Sequence, residues 1–153
     1  MPHTAPQLAL HILFSLAVRR QWRLRTFDVT TAFLSGLEQE RELYVRPPSD
    51  GLPGVRQGSL LKLVKGVYGL KEAPRLWYLR ARQLITRCGW QELSCAKSVF
   101  VLRDDDNALC GMMRVHVDDA FYGCVGQVFE KISEAIEEMP EDWKRIYQFF
   151  LSF

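Results

Sequence analysis

At 153 residues with 48% hydrophobic and 12% aromatic content, the chain carries enough apolar side chains for one buried core and is not disordered by composition. Cys88, Cys95, Cys110 and Cys124 form no C-x-x-C pair and are too sparse for a secreted disulfide scaffold, which points to reduced thiols inside a cell, with zinc a marginal reading. The apolar stretch from Leu8 to Val18 contains His11 and Ser15, is followed by Arg19 and Arg20, and lacks a charged leader, so a soluble chain without a signal peptide or membrane span is expected.

In chain order, the spacing first predicts a helix from Ala5 to Arg19, capped by Thr4, with Pro6 in the first turn and Leu8, Ile12 and Leu16 as its core stripe. Trp22 to Asp28 alternates like a strand and puts Asp28 at the strand end; Val29 to Gly36 reads as a short helical turn. Leu43 to Arg46 reads as a second short strand. The turn-rich run from Pro47 to Gly58 is a loop and the best candidate for an insertion or linker. Leu60 to Val64 is another strand. From Glu72 to Cys88 the apolar residues recur at helical spacing, with arginines on the other faces and Gly89 as the stop. Ser98 to Arg103 and Leu109 to Val117 are strands joined by a polar DDDNA turn, and Ala120 to Val125 is a third, paired across Asp118 and Asp119. After Gly126 the pattern turns helical, and Pro140 breaks it.

Net charge is only +2, yet between Val55 and Cys88 eight basic residues, Arg56, Lys62, Lys65, Lys71, Arg75, Arg80, Arg82 and Arg87, stand against Glu72 alone. From Gly89 onward six basic residues face twelve acidic ones. The basic window reads equally as a polyanion-binding surface or as a solvated helix face.

The stretch RVHVDDAFY sets two carboxylates side by side between short apolar runs. Adjacent like charges repel unless solvent or a cation lies between them. Asp118 and Asp119 therefore read either as a solvated hairpin turn or, with the strand-end Asp28, as the hard-oxygen ligands of a two-metal phosphoryl-transfer site. The acidic run at Asp104, Asp105 and Asp106 reads as a solvated turn.

Three stretches together resemble the reverse transcriptase domain of Ty1/copia-type retrotransposon polyproteins. FDVTTAFLSG, Phe27 to Gly36, with ELYVRPP after it, is similar to that family's D-V-x-x-A-F-L-x-G and Y-x-x-P block. LLKLVKGVYGLKEAPRLWY, Leu60 to Tyr78, resembles its L-Y-G-L-K-Q-A-P-R-x-W-Y signature, and VHVDD resembles its Y-V-D-D. Order and spacing agree from about Leu8 to Gly126. His116 stands where tyrosine is usual, and Ala120 replaces a larger aliphatic residue.

The resemblance implies an α+β fold like a polymerase palm: a small antiparallel sheet holding Asp28 and the Asp118–Asp119 turn, with the two helices packed on one face. It implies that Asp28, Asp118 and Asp119 are the catalytic carboxylates. Asp28 and Asp118 would be the principal ligands of Mg²⁺ or Mn²⁺, Asp119 a weaker one, and Val29 would offer a backbone carbonyl. Phe33 falls where related polymerases carry an aromatic gate against a ribose 2′-hydroxyl, and reads equally as a core residue. Tyr68, Gly69, Lys71 and Arg75 match the segment shaping the nucleotide and template pocket, where glycine permits close backbone approach. Lys62, Lys65 and Arg82 are candidates for the nucleic-acid backbone. Trp77 and Tyr78 read as helix packing.

The implied function is RNA-directed DNA synthesis on an RNA template and DNA primer from deoxynucleoside triphosphates. The implied setting is intracellular, either cytoplasmic or within a virus-like particle. The expected organisation is a partial reverse transcriptase domain over residues 1–126 and a divergent acidic helical tail over 127–153, the whole reading as a palm fragment without the basic fingers and thumb. A catalytically inactive palm remnant that at most binds nucleic acid is the alternative, and a metal-dependent phosphohydrolase a third reading.

Overall fold

The computed structural model describes residues 5–29, 31–126 and 128. The helices expected after Gly126 and the acidic tail over 127–153 lie outside the described residues, and the helix start expected at Ala5 under a Thr4 cap is corrected: Pro6 holds the N-cap position and the helix begins at Gln7. Helix α1 spans Gln7–Arg20 and helix α2 spans Ala73–Arg87. The strands are β1 (Arg23–Asp28), β2 (Glu38–Val45), β3 (Leu61–Lys65), β4 (Gln91–Glu92), β5 (Val99–Arg103), β6 (Leu109–His116) and β7 (Asp119–Cys124), with a 3₁₀ turn over Ala32–Ser35. Strand β2 begins five residues earlier than the Leu43 start its apolar residues predict, because Glu38 pairs with Lys65 across an irregularity in the register and the mostly exposed polar residues before Leu43 carry no apolar signal. Strand β4, two residues long, carries no periodicity that a sequence could reveal.

Five strands form one antiparallel sheet in the order β1-β7-β6-β5-β4, and β2 with β3 forms a separate two-stranded ribbon. Strands β5, β6 and β7 are central and almost wholly buried, so they are apolar on both sides and do not alternate.

The expectation that both helices pack on one face of the sheet is corrected. Trp77, Ala81 and Ile85 of α2 pack with Phe100, Met113, Val115 and Tyr122, whereas Ala9, Leu13 and Ala17 of α1 pack with Trp22, Val99 and Met112. Phe100 and Val99, like Met113 and Met112, are strand neighbours and point to opposite faces. The sheet is therefore sandwiched between the helices, and the physical reason is that its central strands have two apolar faces to cover.

The core stripe of α1 is also corrected. Leu8 and Ile12 are exposed at 66% and 44%, while Ala5, Ala9, Leu13 and Ala17 are buried. The buried side of the helix carries two alanines and Leu13, with Leu16 of the expected stripe packed at its margin, so small side chains rather than a row of large ones meet the sheet. The helix closes on Gln21 in a left-handed conformation, whose N–H meets the carbonyls of Ala17 and Val18. Helix α2 buries the predicted residues, has proline in its first turn and ends before Gly89, whose φ of 84° suits glycine.

At the β5–β6 turn, Asp104 Oδ1 accepts hydrogen bonds from the amides of Asp106 and Ala108 at 3.1 and 2.8 Å. That carboxylate shapes its own turn. All four cysteines are free thiols. Burial, with a smaller contribution from Cys110, pushes the Cys124 thiol up to about 11, and such a thiol is inert. Among the described residues no helix is long and apolar enough to cross a membrane.

Candidate functional site: carboxylates at one end of the sheet

Strand β1 ends at Asp28 and β7 begins at Asp119, and the two are direct cross-strand partners. The ladder continues to the hairpin tip, where the Val29 amide donates to the Asp118 carbonyl at 2.9 Å. The structure thus brings all three predicted carboxylates to one end of the sheet, next to the buried Val29. Like charges directly opposite on adjacent strands are destabilising. The Asp28 carboxyl is accordingly held above its ordinary range, first by partial desolvation, then by the charges of Asp118 and Asp119 and a hydrogen bond with Asp119.

The hairpin between β6 and β7 is tight. His116 pairs with Asp119, so Val117 and Asp118 alone make the turn. Val117 takes a φ of 58°, in the left-handed region that glycine ordinarily fills at the first position of such turns. For a β-branched residue that conformation costs roughly 1–3 kcal/mol and persists only where its surroundings impose it. The Trp77 indole Nε1–H donates to the Val117 carbonyl at 2.6 Å, reaching from α2 to the hairpin tip. Nothing in the sequence signalled this bond.

Phe33 is part-buried against the main core that includes Val29, and its ring lies 4.8 Å from that of Tyr68, tilted by 57°. Tyr68 itself is exposed. Within the fold the close approach is at Gly66, where an added Cβ would lie 2.9 Å from the Ala73 Cβ. Gly69 serves the turn, with a φ of 94° and open space where a side chain would stand. Both glycines let the chain reverse between β3 and α2, which sets Tyr68 beside Phe33.

The basic candidates divide into two groups. Lys62 pairs with Glu42, and Arg75 Nη1 lies 3.6 Å from Glu40. These pairs are exposed and weak, and a phosphate can displace them. Arg82 differs. Its Nε lies 2.9 Å from Glu92 Oε2, whose side chain is only 5% exposed, and Glu92 Oε1 also accepts from the Tyr78 hydroxyl at 2.7 Å and the Ser98 amide at 2.8 Å. The Tyr78 hydroxyl is raised well above its usual range, first by burial and then by that hydrogen bond. Glu92, missed in the sequence because it is one acid on a two-residue strand, thus fastens α2 to the sheet through Arg82 and Tyr78. Lys65 and Lys71 are exposed, and no ion pair engages them among the described residues.

The donors at Asp28, Asp118 and Asp119 suit a hard divalent cation in kind: all are oxygen, and the charges of Asp118 and Asp119 push the Asp28 carboxyl up. Among the described residues, however, no three His, Cys, Asp or Glu side chains are already arranged to hold an ion.

A mixed α/β fold with an antiparallel sheet and a carboxylate cluster at the sheet end is the framework in which the comparisons with known proteins stand. The chain belongs to the reverse transcriptase (RNA-dependent DNA polymerase) family, whose sequence model matches residues 5–149. That match continues across the acidic stretch after Gly126. Among similar proteins, the retrovirus-related Pol polyprotein from transposon RE1 of Arabidopsis thaliana is 34% identical over 111 residues, covering 72% of this chain and 7% of the relative. The corresponding polyprotein from transposon TNT 1-94 of Nicotiana tabacum is 29% identical over 111 residues, 72% of this chain and 8% of the relative. The transposon Ty1-BL Gag-Pol polyprotein of Saccharomyces cerevisiae is 32% identical over 100 residues, 64% of this chain and 5% of the relative. The chain spans less than a tenth of the length of these polyproteins. No solved structure matches it.

Proposed function

We propose that this chain is the palm portion of a copia-type reverse transcriptase, built for template-directed addition of deoxynucleotides to a DNA primer on an RNA template. The observation that carries the reading is the direct pairing of Asp28 with Asp119, beside Asp118, in a chain of this family. Asp28, Asp118, Asp119 and the Val29 carbonyl would hold Mg²⁺ or Mn²⁺. When bound, two such ions activate the primer 3′-hydroxyl and neutralise the departing pyrophosphate.

The chain's own residues position the reactants. The Phe33–Tyr68 ring pair forms one wall against which a nucleotide sugar or base would lie, with Phe33 braced from behind by the core. Lys71 meets triphosphate oxygens, and Arg75 exchanges its exposed glutamate for a phosphate. Lys62 and Lys65, on the ribbon, follow the nucleic-acid backbone. Arg82 plays a lesser part there, since Glu92 already engages it. In-line positioning supplies a large share of phosphoryl-transfer catalysis, so the carboxylates alone are not sufficient.

An inactive remnant that only binds nucleic acid is the competing reading, favoured by the missing three-ligand arrangement among the described residues. Primer extension on poly(rA)/oligo(dT) with Mg²⁺ or Mn²⁺ decides between them. The 153-residue chain is expected to extend the primer weakly, and a longer chain carrying family-type fingers and thumb robustly. Asp118→Asn is expected to abolish synthesis in both. Synthesis that survives Asp118→Asn would refute the carboxylate assignment, and inactivity of the longer chain would establish the remnant.

A further inference from the structure

We propose that Trp77 is a positioning residue for the carboxylate pair: its indole N–H fixes the carbonyl of Val117 and so sets where Asp118 and Asp119 stand. The inference rests on the reading of Asp118 as a metal ligand. Three observations meet at this point. The turn has only two residues, so the placement of Val117 dictates that of Asp118. Val117 holds a left-handed φ that a β-branched residue does not adopt unaided. The carbonyl that this conformation turns away from the ladder is taken by Trp77 at 2.6 Å, across 40 residues of sequence.

Trp77 is anchored on both its ring and its backbone. Trp77 is buried, its ring is packed in the main core, and its backbone N lies 3.1 Å from where a side chain on Gly36 would begin. Helix α2 is fastened in turn to the sheet by the Glu92 bonds to Arg82 and Tyr78. The hairpin tip is thus held from both sides: by Trp77 at the Val117 carbonyl, and by the Val29 amide at the Asp118 carbonyl. An outer contact of this kind orients ligands without touching the ion, and losing one weakens metal affinity by roughly 10–100-fold.

The test uses the whole chain and the variants Trp77→Phe, which keeps an aromatic ring and removes the N–H, and Asp118→Asn. Mn²⁺ binding is followed by electron paramagnetic resonance of the free ion, and exchange of the Val29 amide by hydrogen–deuterium NMR. Binding that Asp118→Asn removes and Trp77→Phe weakens roughly tenfold, with faster Val29 exchange at little change in melting temperature, is the expected result. Asp118-dependent binding that Trp77→Phe leaves unchanged would overturn the proposal. If the unsubstituted chain binds no Mn²⁺ through Asp118, the metal reading itself fails, and Val29 exchange then decides the hold on the hairpin: faster in Trp77→Phe supports it, unchanged refutes it. Should Trp77→Phe not fold, ¹⁵N-indole NMR of the unsubstituted chain decides. The Trp77 indole N–H resonance, assigned through its contact with Val117, must shift with Mg²⁺ at the midpoint of the Asp118 site, and a resonance indifferent to Mg²⁺ refutes the role.

Discussion

Asp28 lies opposite Asp119, and among the described residues no ion pair offsets their repulsion, which has a measurable cost. In the unfolded chain its carboxyl titrates near 3.8, and in the fold it titrates higher. Between those pH values the folded chain holds more protons, so stability falls as pH rises through the window and the penalty is fully present at neutral pH. Asp28→Asn should therefore raise the melting temperature at pH 7 in metal-free buffer, by about 2 °C because the carboxyl is exposed to solvent. Below the ordinary carboxyl pKa the gain should vanish. Mg²⁺ should stabilise the unsubstituted chain more than the variant, since only ions bound to the folded state raise stability. A variant that melts lower at pH 7 and responds equally to Mg²⁺ would refute this account.

Among the elements, α1 shows how a helix can be legible in extent and illegible in orientation. Its ends follow from Pro6 and the arginines, but both its large-residue stripe and its alanine stripe have helical period. Periodicity cannot say which one faces the sheet when the buried side is mostly alanine. Leu13→Ala should cost about 2–5 kcal/mol in denaturant melts. Ile12→Ser should stay within about 0.5 kcal/mol. The reverse order would restore the Leu8–Ile12–Leu16 stripe as the core. VFVL in β5 and the apolar run of β6 do not alternate because both of their faces are covered, and the expectation of both helices on one face left that pattern unread. The three carboxylates were legible because a strand end and a two-residue turn fix them locally. The Trp77 and Glu92 contacts were not, since each joins a helix to a sheet, and no spacing rule encodes such contacts.

At the scale of the whole molecule, the basic window of the sequence is only partly a basic surface. The fold sets Glu40 and Glu42 of β2 against Arg75 and Lys62, and Glu92 of β4 against Arg82. A linear charge count could not foresee this, because β2 and β4 lie outside the window and meet it only through folding. The sheet order has a separate effect on how the molecule forms. Strands β5, β6 and β7 are successive hairpins, closed by short turns, whereas β1 pairs with β7 from the far end of the chain, on the order of a hundred residues away. Closing so large a loop is entropically unfavourable until the hairpins offer an edge to dock on. Asp118 and Asp119 thus find their places early, and Asp28 arrives late. In pulse-labelled hydrogen exchange, amides of β6 should gain protection before those of β1; simultaneous protection would show a single concerted step. Repulsion among the carboxylates is thereby deferred to the end of folding, when most of the core has already been secured.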